Sequence, residues 1–166
     1  MGDFAATEGV EPYDSYSRMV PFSPTEAAID RDLRLRIRDF YRISDNKDLN
    51  DRWLEFFTPG AKVKVGALEA EKHENLRQLR AAMWSSVLGR KHWVTRAIGS
   101  VDEQGVHVML KGGVTRKGLD GGESTFSWAG SAAWKKHDGE WRMDDYRVWL
   151  DQWTSMDGPM PSESES

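Results

Sequence analysis

Cysteine is absent from the 166 residues, which excludes disulfides and thiolate chemistry and leaves the compartment open. No apolar run approaches the roughly 20 residues that a membrane-spanning helix needs. The N-terminus lacks the apolar core of a secretory signal, and Ala6 stands where myristoylation after Met-Gly calls for Ser or Thr. A soluble, cytoplasmic protein is therefore expected, with no membrane partner. A net charge of -4 argues against a nucleic-acid partner, because phosphate binding usually needs a basic face. No two histidines stand at a metal-ligand spacing, so no metal is expected. Gly112-Gly113 and Gly121-Gly122 lack the strand-to-helix setting of a phosphate loop, and there is no Gly-x-Ser-x-Gly elbow. No cofactor is expected either.

Tryptophan is abundant, with eight in the chain. Each one buried adds a large apolar area and an indole N–H that seeks an acceptor. Residues 1–23 are turn-rich and read as an irregular arm. Ser23-Pro24-Thr25-Glu26 reads as a helix start, and the helix runs to about Ser44 with Ile29, Leu33, Ile37, Phe40 and Tyr41 on one stripe. A second short helix is expected over 49–57, a strand over 61–68 and a third helix over 69–90. Four strands follow, over 92–101, 106–115, 124–136 and 140–153, with Asp138-Gly139 marking a hairpin turn. Residues 155–166 read as a disordered acidic tail. Helices first and a meander of strands after them give an α+β fold: three N-terminal helices packed on one curved, mainly antiparallel sheet. The domain spans 24–154. A cavity between the concave sheet face and the helices is a natural ligand pocket.

The stretch Lys91–Val101 carries the strongest chemical signal. Strict alternation puts His92, Val94, Arg96 and Ile98 on one strand face. Histidine suits proton transfer near neutral pH, although it could also bond to backbone as a partly buried core residue. Arg96 facing the cone could stabilise an oxyanion, or it could pair with Asp144 or Asp145 on a neighbouring strand. On the last strand, alternation groups Asp144 with Tyr146 and Val148, and Asp145 with Arg147 and Trp149. One of the two carboxylates should then face inward, where burial would raise its pKa. Trp128, Gly130, Ala132 and Trp134 share a face, and with Trp84 they could line a recess for a flat ligand, or form core or a dimer face. Tyr41 poses the same question on the first helix. His73 and His137 lie near turns and should be solvated.

Three segments carry a family resemblance: IRDFYRISDNKDLNDRWLEFFTPGAKVKVGAL, AAMWSSVLGRKHWV and AAWKKHDGEWRMDDYRVWLD. They resemble the SnoaL-like proteins of the nuclear transport factor 2-like superfamily, over roughly residues 25–153. The superfamily includes cyclases, isomerases, dehydratases and non-catalytic binding domains, so the likeness implies the cone fold more firmly than a reaction. Scytalone dehydratase, a distant cone-fold relative, uses an aspartate after its first helix to orient a histidine that opens the strand after its third. Asp45 and His92 match that pair. The segment Val114–Arg116, matching a second histidine of the dehydratase, has none, and its two tyrosine positions correspond to Ser44 and Val65.

The resemblance thus implies a small cofactor-independent enzyme of secondary metabolism: an isomerase, cyclase or dehydratase acting on a polyketide-like or terpenoid-like substrate. His92 would be its acid or base, Asp45 the orienter and Arg96 the oxyanion partner. Tyr41, Trp84, Trp128, Tyr146 and Asp144 would bind substrate. The alternative is a binding domain for a small apolar or aromatic ligand. A homodimer through the sheet face is expected in either case.

Overall fold

The computed structural model describes residues 29–151. The N-terminal arm, the helix start expected at Ser23-Pro24 and the acidic tail lie outside them. Within the described residues the order is α1 (Arg31–Ser44), α2 (Asn50–Leu54), β1 (Phe57–Val65), β2 (Leu68–Glu71), α3 (His73–Trp84), β3 (Val87–Asp102), β4 (Gly105–Gly118), β5 (Glu123–His137) and β6 (Glu140–Leu150).

Asp30 caps α1: its carboxylate accepts the Leu33 N–H at 2.8 Å, satisfying a donor that the first helical turn leaves open. The stripe expected on this helix is buried in full, and Ile43 and Ser44 join it. The helix begins at Arg31, so the expectation of helix from residue 24 is corrected within the described part.

Six strands form one sheet in the order β2-β1-β6-β5-β4-β3. All neighbours are antiparallel except β1 and β6, which run parallel. The fold is the α+β cone, with helices packed on a curved, mostly antiparallel sheet. Buried side chains from α1, α2 and the inner sheet face make one core.

Two further departures from the sequence reading matter for the cavity. The strand expected over 61–68 is a hairpin instead. Gly66 turns the chain at φ 59, which L side chains rarely adopt, and β2 folds back on β1. The third helix, expected over 69–90, stops at Trp84. Ser85 ends it with its hydroxyl on the Ala82 carbonyl at 2.7 Å. Arg90 therefore belongs to strand β3, in phase with His92.

Single extra residues bend the sheet. Val94 pairs with Gly112 and Arg96 with Lys111, so Thr95 has no partner on β4. On the other side, Ala133 pairs with Asp145 and Trp134 with Met143, so Asp144 has no partner on β5. Such bulges kink a strand and raise its twist. They also break the alternation count, with consequences for the site. Gly112 and Gly113 face this bend. A Cβ on Gly113 would sit 2.1 Å from the Trp93 ring, and one on Gly112 would sit 2.0 Å from the Trp93 carbonyl oxygen, so neither position admits a side chain without rearrangement.

Candidate active site

The cavity lies between α1, the β1–β2 turn, the end of α3 and the inner face of β3–β6, with a volume of about 260 Å³. Phe40, Trp53, Met83, Val148 and Leu150 supply apolar wall. His92, Tyr41, Tyr146, Ser44, Arg90 and Arg116 supply the polar groups. No Asp or Glu of the described residues lines it.

Asp45 follows α1 directly and is its C-cap. Its side chain is only 2% exposed. One carboxylate oxygen accepts the backbone N–H of His92 at 2.8 Å, and the other lies 2.5 Å from His92 Nδ1. One residue thus fixes both the backbone and the ring of the other. With a carboxylate as partner, Nδ1 is the protonated nitrogen and Nε2 carries the lone pair. Among the described residues nothing hydrogen-bonds Nε2. Burial lowers the His92 pKa below 6.5; Asp45 opposes this through its hydrogen bond and its charge, while Arg90 and Arg116 add to the lowering. The ring is therefore neutral at physiological pH and competent to accept a proton.

Two tyrosines stand beside it. The Tyr41 ring centroid is 5.5 Å from that of His92, and the Tyr41 and Tyr146 hydroxyls are 3.1 Å apart. Burial raises Tyr146 to about 12 and Tyr41 well above 10, so both stay protonated. One hydroxyl donates to the other. The receiving hydroxyl keeps its own hydrogen for a ligand oxygen. Trp128 packs 5.2 Å from Tyr41 and 6.1 Å from His92 and closes the cluster. It shares its face with Gly130, Ala132 and Trp134, as the alternation predicts, and all four are buried.

The end of α1 is gripped by two arginines. Arg80 is 1% exposed and reaches the Asn46 carbonyl at 2.6 Å, with longer contacts at 3.4 Å to the carbonyls of Ile43 and Ser44. It also donates to Asn50 Oδ1 at 2.7 Å. Arg90 donates Nε and Nη2 to the Ser44 carbonyl at 3.1 and 2.7 Å. Carbonyls at a helix C-terminus have no partner within the helix and carry the negative end of its dipole, which explains why cations gather here. The clamp holds Asp45 in place for His92.

Three expected site residues lie elsewhere. Arg96 is exposed on the outer sheet face. The Thr95 bulge shifts the phase, so Val94 and Ala97 face inward and Arg96 does not; the oxyanion role expected of it is corrected. Asp144 is exposed for the same kind of reason: as the bulge residue of β6 it leaves Met143 and Tyr146 facing in. Its carboxylate accepts from Thr58 at 2.7 Å and pairs with Lys135 at 3.1 Å. The Thr58 hydroxyl foremost, with Lys135, holds its pKa below the usual value, the reverse of what burial would do to an inward-facing carboxylate. Asp145 sits beside Arg147 on the outer face, so neither carboxylate enters the cone. Trp84 is buried outside the cavity wall, with the Arg90 guanidinium 4.3 Å over its ring. His73, expected in solvent, is hydrogen-bonded through Nε2 to the Phe57 carbonyl at 2.9 Å.

Arg90 and Arg116 are the cavity residues that sequence reasoning missed. A signal existed. Arg90 is two residues before His92, and Arg116 is two after Val114, so each continues an inward series. Reading Arg90 as the end of a helix hid the first, and attention to an absent histidine near Arg116 hid the second.

No protein-family model matches the sequence, and no curated protein matches it. Solved structures do match. A candidate scytalone dehydratase from Novosphingobium aromaticivorans superposes with a TM-score of 0.66 at 12% identity, covering 73% of this chain and 83% of that one. A hexachlorocyclohexane dehydrochlorinase (LinA, type 2) gives 0.62 at 15% identity, covering 71% and 84%. Nuclear transport factor 2 from Cryptosporidium parvum gives 0.62 at 12% identity, covering 77% and 96%. These likenesses establish the fold: the chain has the nuclear transport factor 2-like cone fold, the fold that the resemblance of its sequence segments implied.

Proposed function

We propose that the protein is a small acid–base enzyme that removes a proton from an organic substrate held in the cone, most simply as a lyase that eliminates water or another small leaving group. The observation that carries this reading is the Asp45–His92 pair, 2.5 Å apart, with the ring lining the cavity. A buried carboxylate that fixes the tautomer of a neutral histidine is the arrangement a general base needs. His92 Nε2 takes the proton from a carbon acid. The C–H electron pair becomes the new double bond, and the leaving group departs with its own pair. The hydroxyl hydrogen left over by the Tyr41–Tyr146 pair stabilises the charge that develops on a substrate oxygen. Isomerisation would use the same base, with the proton returned to a different carbon. Both a dehydratase and a dehydrochlorinase stand among the structural neighbours, and each name denotes an elimination. That favours the lyase reading over cyclisation.

The test compares the wild type with His92→Ala in metabolite extracts, read by mass spectrometry. A compound lost and a product lighter by water, or an isomer, should appear with the wild type. The variant should be slower by roughly 10²–10⁴-fold, the usual worth of a general base. Full activity in His92→Ala would sink the assignment.

A further inference from the structure

Beyond the dyad and the tyrosines, the cavity wall carries two cations, of which Arg90 also clamps the end of α1 and Arg116 has no task yet. Arg90 and Arg116 face one another directly across the β3–β4 ladder. Like charges opposite one another on a sheet are destabilising. Arg90 has partial compensation: the Ser44 carbonyl, the Trp84 ring, and Asp45 with Oδ1 at 4.0 Å from its Nε. Asp45 is already engaged by His92. Arg116 has neither a hydrogen bond nor an ion pair among the described residues; its guanidinium rests 5.2 Å from the Phe126 ring. It is half-buried, and burial lowers its pKa from the ordinary guanidinium value. A chain of net charge -4 thus places two guanidiniums, and among the described residues no carboxylate, on the wall of this cavity.

Two guanidiniums side by side on the wall, Arg116 without any hydrogen-bond or ion-pair partner among the described residues, disfavour the empty state. An anion placed there would relieve both the repulsion and the lost hydration. Arg116 offers a planar fork of N–H donors, the geometry that suits a carboxylate in two parallel bonds. A phosphate dianion would call for more donors than one free fork supplies. The rest of the wall, with Trp128 and Tyr41, suits a flat organic body, and about 260 Å³ accommodates a small one.

We propose that the cavity binds a small organic acid, its carboxylate on Arg116 beside Arg90 and its carbon skeleton against Trp128 and Tyr41. This names the substrate class of the acid–base reading and rests on that reading for the chemistry, though not for the binding. Anchoring the carboxylate on one side of the ladder would fix which C–H meets His92 Nε2.

The experiment measures binding of benzoate, its neutral isostere benzamide, and phenyl phosphate, by calorimetry and by the Arg side-chain Nε–H resonances. Benzoate is expected to bind at least about tenfold tighter than benzamide, as a charge-assisted pair should, and to shift the Arg116 resonance. Phenyl phosphate should bind no tighter than benzoate. Arg116→Gln should abolish the preference and Arg116→Lys retain part of it, with both variants checked for a wild-type thermal transition. Equal affinity for benzoate and benzamide would overturn the proposal. So would a preference that survives Arg116→Gln, or no binding and no resonance shift with any probe. Tighter binding of phenyl phosphate would overturn the carboxylate assignment. Binding is read without turnover, so failure of His92-dependent catalysis and failure of anion recognition register separately.

Discussion

At the scale of single residues, the state of His92 is set by a contest. Burial and the two cavity arginines favour its neutral form, and Asp45 favours the charged one. The dyad can therefore be tested through pH as well as through rate. In the wild type the acid limb of kcat/KM should fall below pH 6.5, because activity is lost only as the depressed pKa is reached. In Asp45→Asn the carboxylate no longer opposes burial, and the limb should move to still lower pH while the plateau rate drops. A pH–rate profile of the two proteins checks both signs. A limb that moves upward would mean that Asp45 is not the group that supports the imidazolium. The same residue also illustrates what sequence could supply. The spacing of Asp45 and His92 carries no sign of contact, since 47 positions separate them. The pair became legible only through resemblance to a family whose members bring those two positions together.

At the scale of elements, the α1 terminus and strands β3 and β6 decide the site. Arg80, on α3, replaces water for several carbonyls at the end of α1 and is enclosed by Trp53 and Trp84, 5.3 and 5.9 Å from their rings. Burial, with the charge of Arg90, lowers its pKa to about 10, so it remains a cation at neutral pH. Arg80→Met keeps much of the volume and removes every donor. Leaving those carbonyls buried and unpaired should cost roughly 2–4 kcal/mol, measurable by urea denaturation. His92 activity should decline with it, because Asp45 would lose its fixed seat. Helix stripes and strand alternation were readable here because a long periodic pattern tolerates an error of one residue. Faces near a bulge were not. The unpaired Asp144 has no mark in the sequence, and Thr95 is marked only by the Gly112-Gly113 pair opposite its bend, yet each reverses every inward–outward assignment counted through it. Arg96 and Asp144 were misplaced for that reason alone. Trp128 and Tyr146, counted in from unbulged stretches, do line the cavity.

At the scale of the whole molecule, the neutral state of His92 ties stability to acidity. The unfolded chain takes up a proton at the ordinary histidine value near 6.5, and the folded chain resists it. Stability rises with pH wherever the unfolded state holds more protons, so this contribution is complete above 6.5 and is lost as pH falls from there toward the depressed value. His92→Gln cannot titrate. Urea midpoints of the two proteins should therefore converge as pH drops from 7.5 to 5.5, whatever the other groups contribute to both. Midpoints that stay parallel would indicate that burial leaves the histidine unperturbed.

The Thr95 bulge has one more consequence. The residues on either side of it keep a regular register with β4, so the ladder would still pair Val94 with Gly112 and Arg96 with Lys111 if Thr95 were deleted. No side chain would change sides; only the bend would go. In this chain, then, the outline of the chamber and the list of groups that furnish it are encoded separately. Substitution rewrites the furnishing. Gain or loss of one unpaired residue redraws the outline, and a lineage could adjust the two in turn without disturbing what it had already settled.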